Sequence, residues 1–165
     1  MEMLDPLVEL LKPWAKFYSK STPAQNLILF AHLAGLLGGG GLAIAADRAI
    51  WKARTAAADA RALVLADVAS VHRPVVIWLV FAVLSGALMT AADLETYLTS
   101  PVWWVKIGVV VLLLANGAWL RSIERAAMRT PSVPPAAWAK VTLSSRLSLT
   151  LWFVVVLIGV ALGNI

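Results

Sequence analysis

Residues 25–46 read QNLILFAHLAGLLGGGGLAIAA, a stretch without Asp, Glu, Lys or Arg. About 20 mostly apolar residues suffice for an α-helix to cross the hydrocarbon core of a bilayer. Three further stretches, roughly 74–92, 102–120 and 143–163, meet the same standard. An open-edged sheet cannot span lipid, because its backbone N–H and C=O groups would go unpaired. The chain is therefore expected to be an all-α integral membrane protein, folded as an antiparallel four-helix transmembrane bundle.

Composition supports that expectation. Of 165 residues, 61% are hydrophobic and 14% charged, with a mean hydropathy of +0.82. Soluble domains run at about 45–50% apolar and about 25% charged, so the surplus apolar surface must face lipid. The length allows a single membrane domain, residues 1–165. The absence of cysteine excludes disulfides, thiolate metal sites and a c-type haem attachment motif. The formal charge of +5 is scattered over loops rather than gathered on one face, so nucleic acid is not an expected partner. Residues 1–20 contain Glu2, Asp5, Glu9, Lys12, Lys16 and Lys20 with no continuous apolar core, unlike a cleavable signal.

Within residues 3–20, Leu4, Leu7, Val8, Leu11, Trp14, Ala15 and Tyr18 recur at helical spacing opposite the charged side chains. That pattern predicts an amphipathic helix lying in the membrane interface or capping the end of the bundle. The connection 47–73 carries Arg48, Lys52, Arg54, Arg61 and Arg73, and the connection 121–142 carries Arg121, Arg125, Arg129 and Lys140. The short connection 93–101 has only Asp93 and Glu95. By the positive-inside rule the two basic connections are cytoplasmic, and both termini lie outside the cytoplasm of a bacterial-type inner membrane. The 47–72 segment, without Gly or Pro, is expected to continue as helix. The run Thr130-Pro131-Ser132-Val133-Pro134-Pro135 is expected to break the chain before a fourth helix begins near Ala136.

Ionisable groups inside spans are costly and mark function by default. His32 lies about five residues, and Lys106 about four, inside the outer ends of spans one and three, so both sit roughly 6–8 Å deep. Gly35, Gly39, Ala43 and Ala46 share the face of His32. Small residues admit either another helix or a flat cofactor. The Gly35-x-x-x-Gly39 pair alone favours helix packing, and the imidazole on the same face favours a cofactor. Matching inward faces carry Ser85, Gly86 and Met89 in span two, Lys106, Leu113 and Gly117 in span three, and Ser145, Ser148, Trp152 and Gly159 in span four. Lys106 could alternatively snorkel to the outer headgroups. His72 precedes Arg73-Pro74, with Pro74 suited to a first helical turn. It is expected about 20 Å from His32 along the normal, within reach of Asp47 in a boundary cluster with Arg48, Arg73 and Arg146. No phosphate-binding glycine loop, HExxH or GxSxG motif occurs, and no mid-span acidic residue of the kind an ion transporter uses is evident.

The stretch Phe30-Ala31-His32-Leu33-Ala34-Gly35 resembles the histidine-bearing first helix of the HemJ-type bacterial protoporphyrinogen oxidases. Lys106-Ile107-Gly108, continuing to Ala115-Asn116-Gly117-Ala118-Trp119-Leu120, resembles the lysine-bearing later helix of that family, and similar patterns occur in CopD-like membrane proteins. The resemblance implies haem b as cofactor, His32 as axial metal ligand, and Lys106 as a porphyrin-carboxylate partner or part of an oxidation site. An enzyme of this kind would be an oxidoreductase. The expected function is thus haem-b binding with a redox or electron-transfer role, quinone being the candidate partner in the same lipid and His32, Gly35, Gly39 and Lys106 the cofactor-binding residues. The competing expectation is a non-catalytic accessory subunit, packed in a larger membrane complex or homo-oligomer through its small-residue helix faces.

Overall fold

A computed structural model describes residues 5–129 and 133–163. Its helices are α1 (Asp5–Lys20), α2 (Thr22–Lys52), α3 (Ala58–Ala92), α4 (Leu94–Thr99), α5 (Pro101–Ala127) and α6 (Pro135–Leu162). Four of them, α2, α3, α5 and α6, are long and apolar enough to cross a membrane. Facing pairs run in opposite directions: His32 meets Ala82 while Gly39 meets Val75, and Lys106 approaches Gly159 while Asn116 meets Ser144. The bundle is antiparallel.

The helix ends follow local chemistry. The Ser21 hydroxyl accepts from the Ala24 N–H at 3.4 Å, and proline occupies the first turn of α2. Prolines also open α5 and α6. Residues 130–132 of the expected helix-breaking run, and residues 3 and 4 of the expected interfacial helix, lie outside the described residues. Two boundaries differ from expectation. Helix α3 begins at Ala58 after a short 3-10 turn (Ala53–Thr55), so Pro74 falls inside a helix instead of starting one. Helix α5 runs on to Ala127, well past the expected end at 120. The expected helical continuation through 47–72 thus holds apart from the 3-10 turn and residues 56–57, and α5 extends because nothing in Arg121–Ala127 breaks it.

These extensions meet at one end of the bundle, called here the basic end. Ile50, Leu65, Val68, Leu120, Ile123, Trp138 and Val141 form a buried core there. Arg61 lies over the Trp138 ring at 5.3 Å and donates to the Arg54 carbonyl at 2.6 Å. Toward the other end, which carries α4, large side chains such as Phe30, Leu37, Phe81, Leu84, Phe153 and Leu157 face outward. A bilayer supplies the cover that such a surface needs. Helix α1 rests on this end, Trp14 donating to the Leu88 carbonyl at 2.9 Å, and Gln25 ties the α1–α2 elbow to the Tyr18 carbonyl at 2.8 Å. Leu7, Leu10 and Phe17 of α1 remain exposed, the apolar face an interfacial helix uses.

Helix α2 packs along α3, α5 along α6, and α2 also meets α6, whereas α3 and α5 barely touch. The α5–α6 seam is pinned by a reciprocal pair: Asn116 Nδ2 donates to the Ser144 carbonyl at 3.0 Å, and Ser144 Oγ donates to Asn116 Oδ1 at 3.0 Å. Interhelical polar pairs in membranes contribute about 0.6 kcal/mol on average and up to about 1.7. Asn116→Leu is accordingly expected to lower stability by about 1 kcal/mol in a detergent unfolding titration.

Candidate functional site

Near the α4 end, His32 of α2 turns toward α3. Its Nδ1 lies 2.8 Å from the Ala82 carbonyl oxygen and 3.3 Å from Ser85 Oγ. A carbonyl can only accept, so Nδ1 carries the proton. The Ser85 hydroxyl donates onward to the Phe81 carbonyl at 2.6 Å, leaving its oxygen free to accept from the imidazole. This pins the ring to the Nδ1–H tautomer and puts a lone pair on Nε2. Nε2 has no hydrogen-bond partner among the described residues.

Lys106 of α5 lies within electrostatic range of that imidazole. It turns into the bundle toward α6, where a Cβ placed on Gly159 would stand 3.6 Å from Nζ. The ammonium is half-buried and forms no salt bridge among the described residues. The imidazole thus offers one open nitrogen, and the ammonium has no carboxylate partner among the described residues. The small residue beside the imidazole is Gly86, where an added Cβ would stand 3.1 Å from the ring carbon Cε1.

Gly35 and Gly39 do something else. A Cβ at Gly35 would stand 2.7 Å from the Ala82 backbone nitrogen and 2.8 Å from the Trp78 carbonyl oxygen. One at Gly39 would stand 3.2 Å from the Trp152 ring, and Gly38 and Gly40 are covered by Trp78 and Trp152. The glycine run thus lets α3 and two tryptophans seat closely on α2, and no flat group fits between them. Gly86 and Gly159 instead make room for the two candidate side chains themselves, the imidazole edge lying over Gly86 and the Lys106 ammonium beside Gly159.

No protein-family model, curated protein or solved structure matches this chain. Its chemistry is read from its own residues.

The basic end holds a second polar group that sequence reasoning assembled differently. His72 does not pair with Asp47; its Nε2 donates to Glu124 Oε2 at 2.6 Å, from α3 to α5. Glu124 is 1% exposed, and its Oε1 has no hydrogen-bond partner among the described residues. Asp47 is 4% exposed and faces α6, with the Ser145 and Ser148 hydroxyls beside its carboxylate. Arg48, Arg73 and Arg146 point outward, so the expected boundary cluster does not form. Glu124 lies beyond the apolar span 102–120, on the part of α5 that hydropathy does not mark. Its signal is the spacing Leu113, Asn116, Gly117, Leu120, Glu124, which continues the inward face of α5. Two carboxylates therefore lie buried inside the bundle near this end, a feature the hydropathy reading did not show.

Proposed function

We propose that this chain is a haem-b-binding redox protein of a bacterial-type inner membrane, both termini outside the cytoplasm, with quinone as its membrane-soluble redox partner. The observation that carries the reading is the His32 ring, held through Nδ1–H by a backbone carbonyl with Nε2 unpartnered. A histidine that ligates metal is oriented through its other nitrogen in just this way. Lys106 supplies the second element. A half-buried ammonium without a carboxylate is a site for an anionic group, and a porphyrin carries carboxylates. The donor set suits one nitrogen ligand and one carboxylate partner, with Gly86 making room for the imidazole and Gly159 for the ammonium.

Haem bound here would supply one-electron redox chemistry. The protein's part is to fix the tautomer through Ala82 and Ser85, to hold the propionate-facing cation in a low-dielectric interior, and to keep water away with the surrounding apolar helices. The test is the visible spectrum of protein purified after growth with haem precursor. A reduced b-type α band is expected, absent in His32→Ala while helical circular dichroism and monodisperse elution persist. Lys106→Ala is expected to weaken haem retention about tenfold, the worth of one charge-assisted hydrogen bond. A colourless wild-type preparation, unchanged by added hemin, would end the proposal.

A further inference from the structure

The Asp47 carboxylate lies about 22 Å along α2 from His32; the Ser145 hydroxyl donates to the Asp47 backbone carbonyl at 3.4 Å, and Oδ2 is buried without a hydrogen-bond partner among the described residues. Such an oxygen is costly to leave unmade and calls for a missing donor. A cavity of about 370 Å³ adjoins it, lined by Asp47, Asn116, Ser148 and Trp152 on its inner wall. Its outer side is the gap between α3 and α5, which barely touch. There Val76, Leu114 and Ala118 line it while remaining exposed to the surroundings of the bundle. The opening therefore faces lipid sideways. Exposed Arg121 and Arg125 stand on its rim, and the His72–Glu124 bond lies at the end of the gap.

Charge selects the occupant. An anion would meet the Asp47 carboxylate at the inner wall. A cation would have to pass the two arginines on the rim. An uncharged head with an O–H satisfies Oδ2 without either penalty, and an apolar tail can leave between α3 and α5. We propose that this cavity binds a neutral, hydroxyl-headed amphiphile drawn laterally from the bilayer, its hydroxyl donating to Asp47. A quinol and a neutral glycerolipid share that chemistry.

Full-length protein in detergent would be titrated with four probes of matched chain length: decylubiquinol, monodecanoylglycerol, decanoate and decyltrimethylammonium. Binding would be read from tryptophan fluorescence and from the shift in unfolding temperature. The two hydroxyl probes are expected to bind about tenfold or more tightly than either charged probe, and the stronger of the two identifies the source. Asp47→Leu, an apolar replacement that buried charges usually tolerate, is expected to remove that preference. Should this variant not fold, Val76→Trp at the mouth is expected to block the same probes without touching Asp47. The proposal is overturned if a charged probe binds best, if no probe binds, or if the folded variants bind the hydroxyl probes like the wild type. None of these measurements needs haem, so their failure leaves the His32 reading untouched, and a colourless protein leaves this one untouched.

Discussion

Replacing Gly35 by leucine is expected to be among the most damaging single changes to this fold. The new side chain would begin with a Cβ 2.7 Å from a backbone nitrogen and 2.8 Å from a backbone oxygen of α3. Backbone cannot step aside as the end of a flexible side chain can, so α2 and α3 must separate along their whole seam. Overpacking of a well-packed contact costs about 1–3 kcal/mol, and this site belongs at or above the upper end. Loss of about 3 kcal/mol or more should appear as a large drop in detergent-stable, monodisperse protein and in unfolding temperature. Gly41, Gly108 and Gly117 provide the contrast, since a Cβ at any of them meets nothing within 4 Å. Alanine there is expected to be neutral or to stabilise by up to about 1 kcal/mol through helix propensity. If Gly35→Leu behaved like Gly41→Ala, the close α2–α3 crossing would have to be abandoned.

The second large effect is expected at His72 and Glu124, and it is asymmetric. His72→Ala leaves a carboxylate that is 1% exposed, with both oxygens unpaired. Breaking a buried pair in this way costs about 3–5 kcal/mol. Glu124→Leu removes the charge itself and leaves an imidazole that is 19% exposed and can remain neutral, so its cost should be markedly smaller. The double variant His72→Leu/Glu124→Leu should recover most of the stability lost in His72→Ala, because well-packed apolar groups often replace a buried ion pair without loss. A double-mutant cycle in a detergent unfolding titration measures the coupling. Equal costs for the two single variants, with no recovery in the double, would show that the 2.6 Å bond is not the α3–α5 tie described.

Much of this architecture was readable in one dimension. Each span declares itself through the summed hydropathy of about 20 consecutive residues, and α1 through the spacing of Leu7, Leu11, Trp14 and Tyr18. The inward faces were readable too. Ser85, Leu113, Ser145, Ser148 and Trp152 are all buried, as helical periodicity had grouped them. The reading faltered where helices outrun the hydrocarbon. Hydropathy treats Arg121-Ser122-Ile123-Glu124-Arg125 as loop, although its residues are good helix formers and Ile123 and Glu124 point into the core. That error hid the buried carboxylate and assigned Asp47 to His72.

The candidate site shows the same division. Spacing placed His32 and Lys106 at one depth, and the fold brings them within electrostatic range. Which small residues stand beside the imidazole was not legible, since Gly35 and Gly86 are equally small in sequence. Only the rotation of α2 against α3 sends one under a neighbouring backbone and the other against the ring.

From sequence alone come the number of membrane-crossing helices, their alternating direction, and the residue types each turns inward. All of these are sums or periodicities within a single segment. The pairing of His72 with Glu124, the unpartnered oxygen of Asp47 and the open Nε2 of His32 were decided by tertiary structure. Each depends on how two helices, far apart in the chain, cross and rotate at contact, and that is settled by glycine and tryptophan packing that no single helix contains.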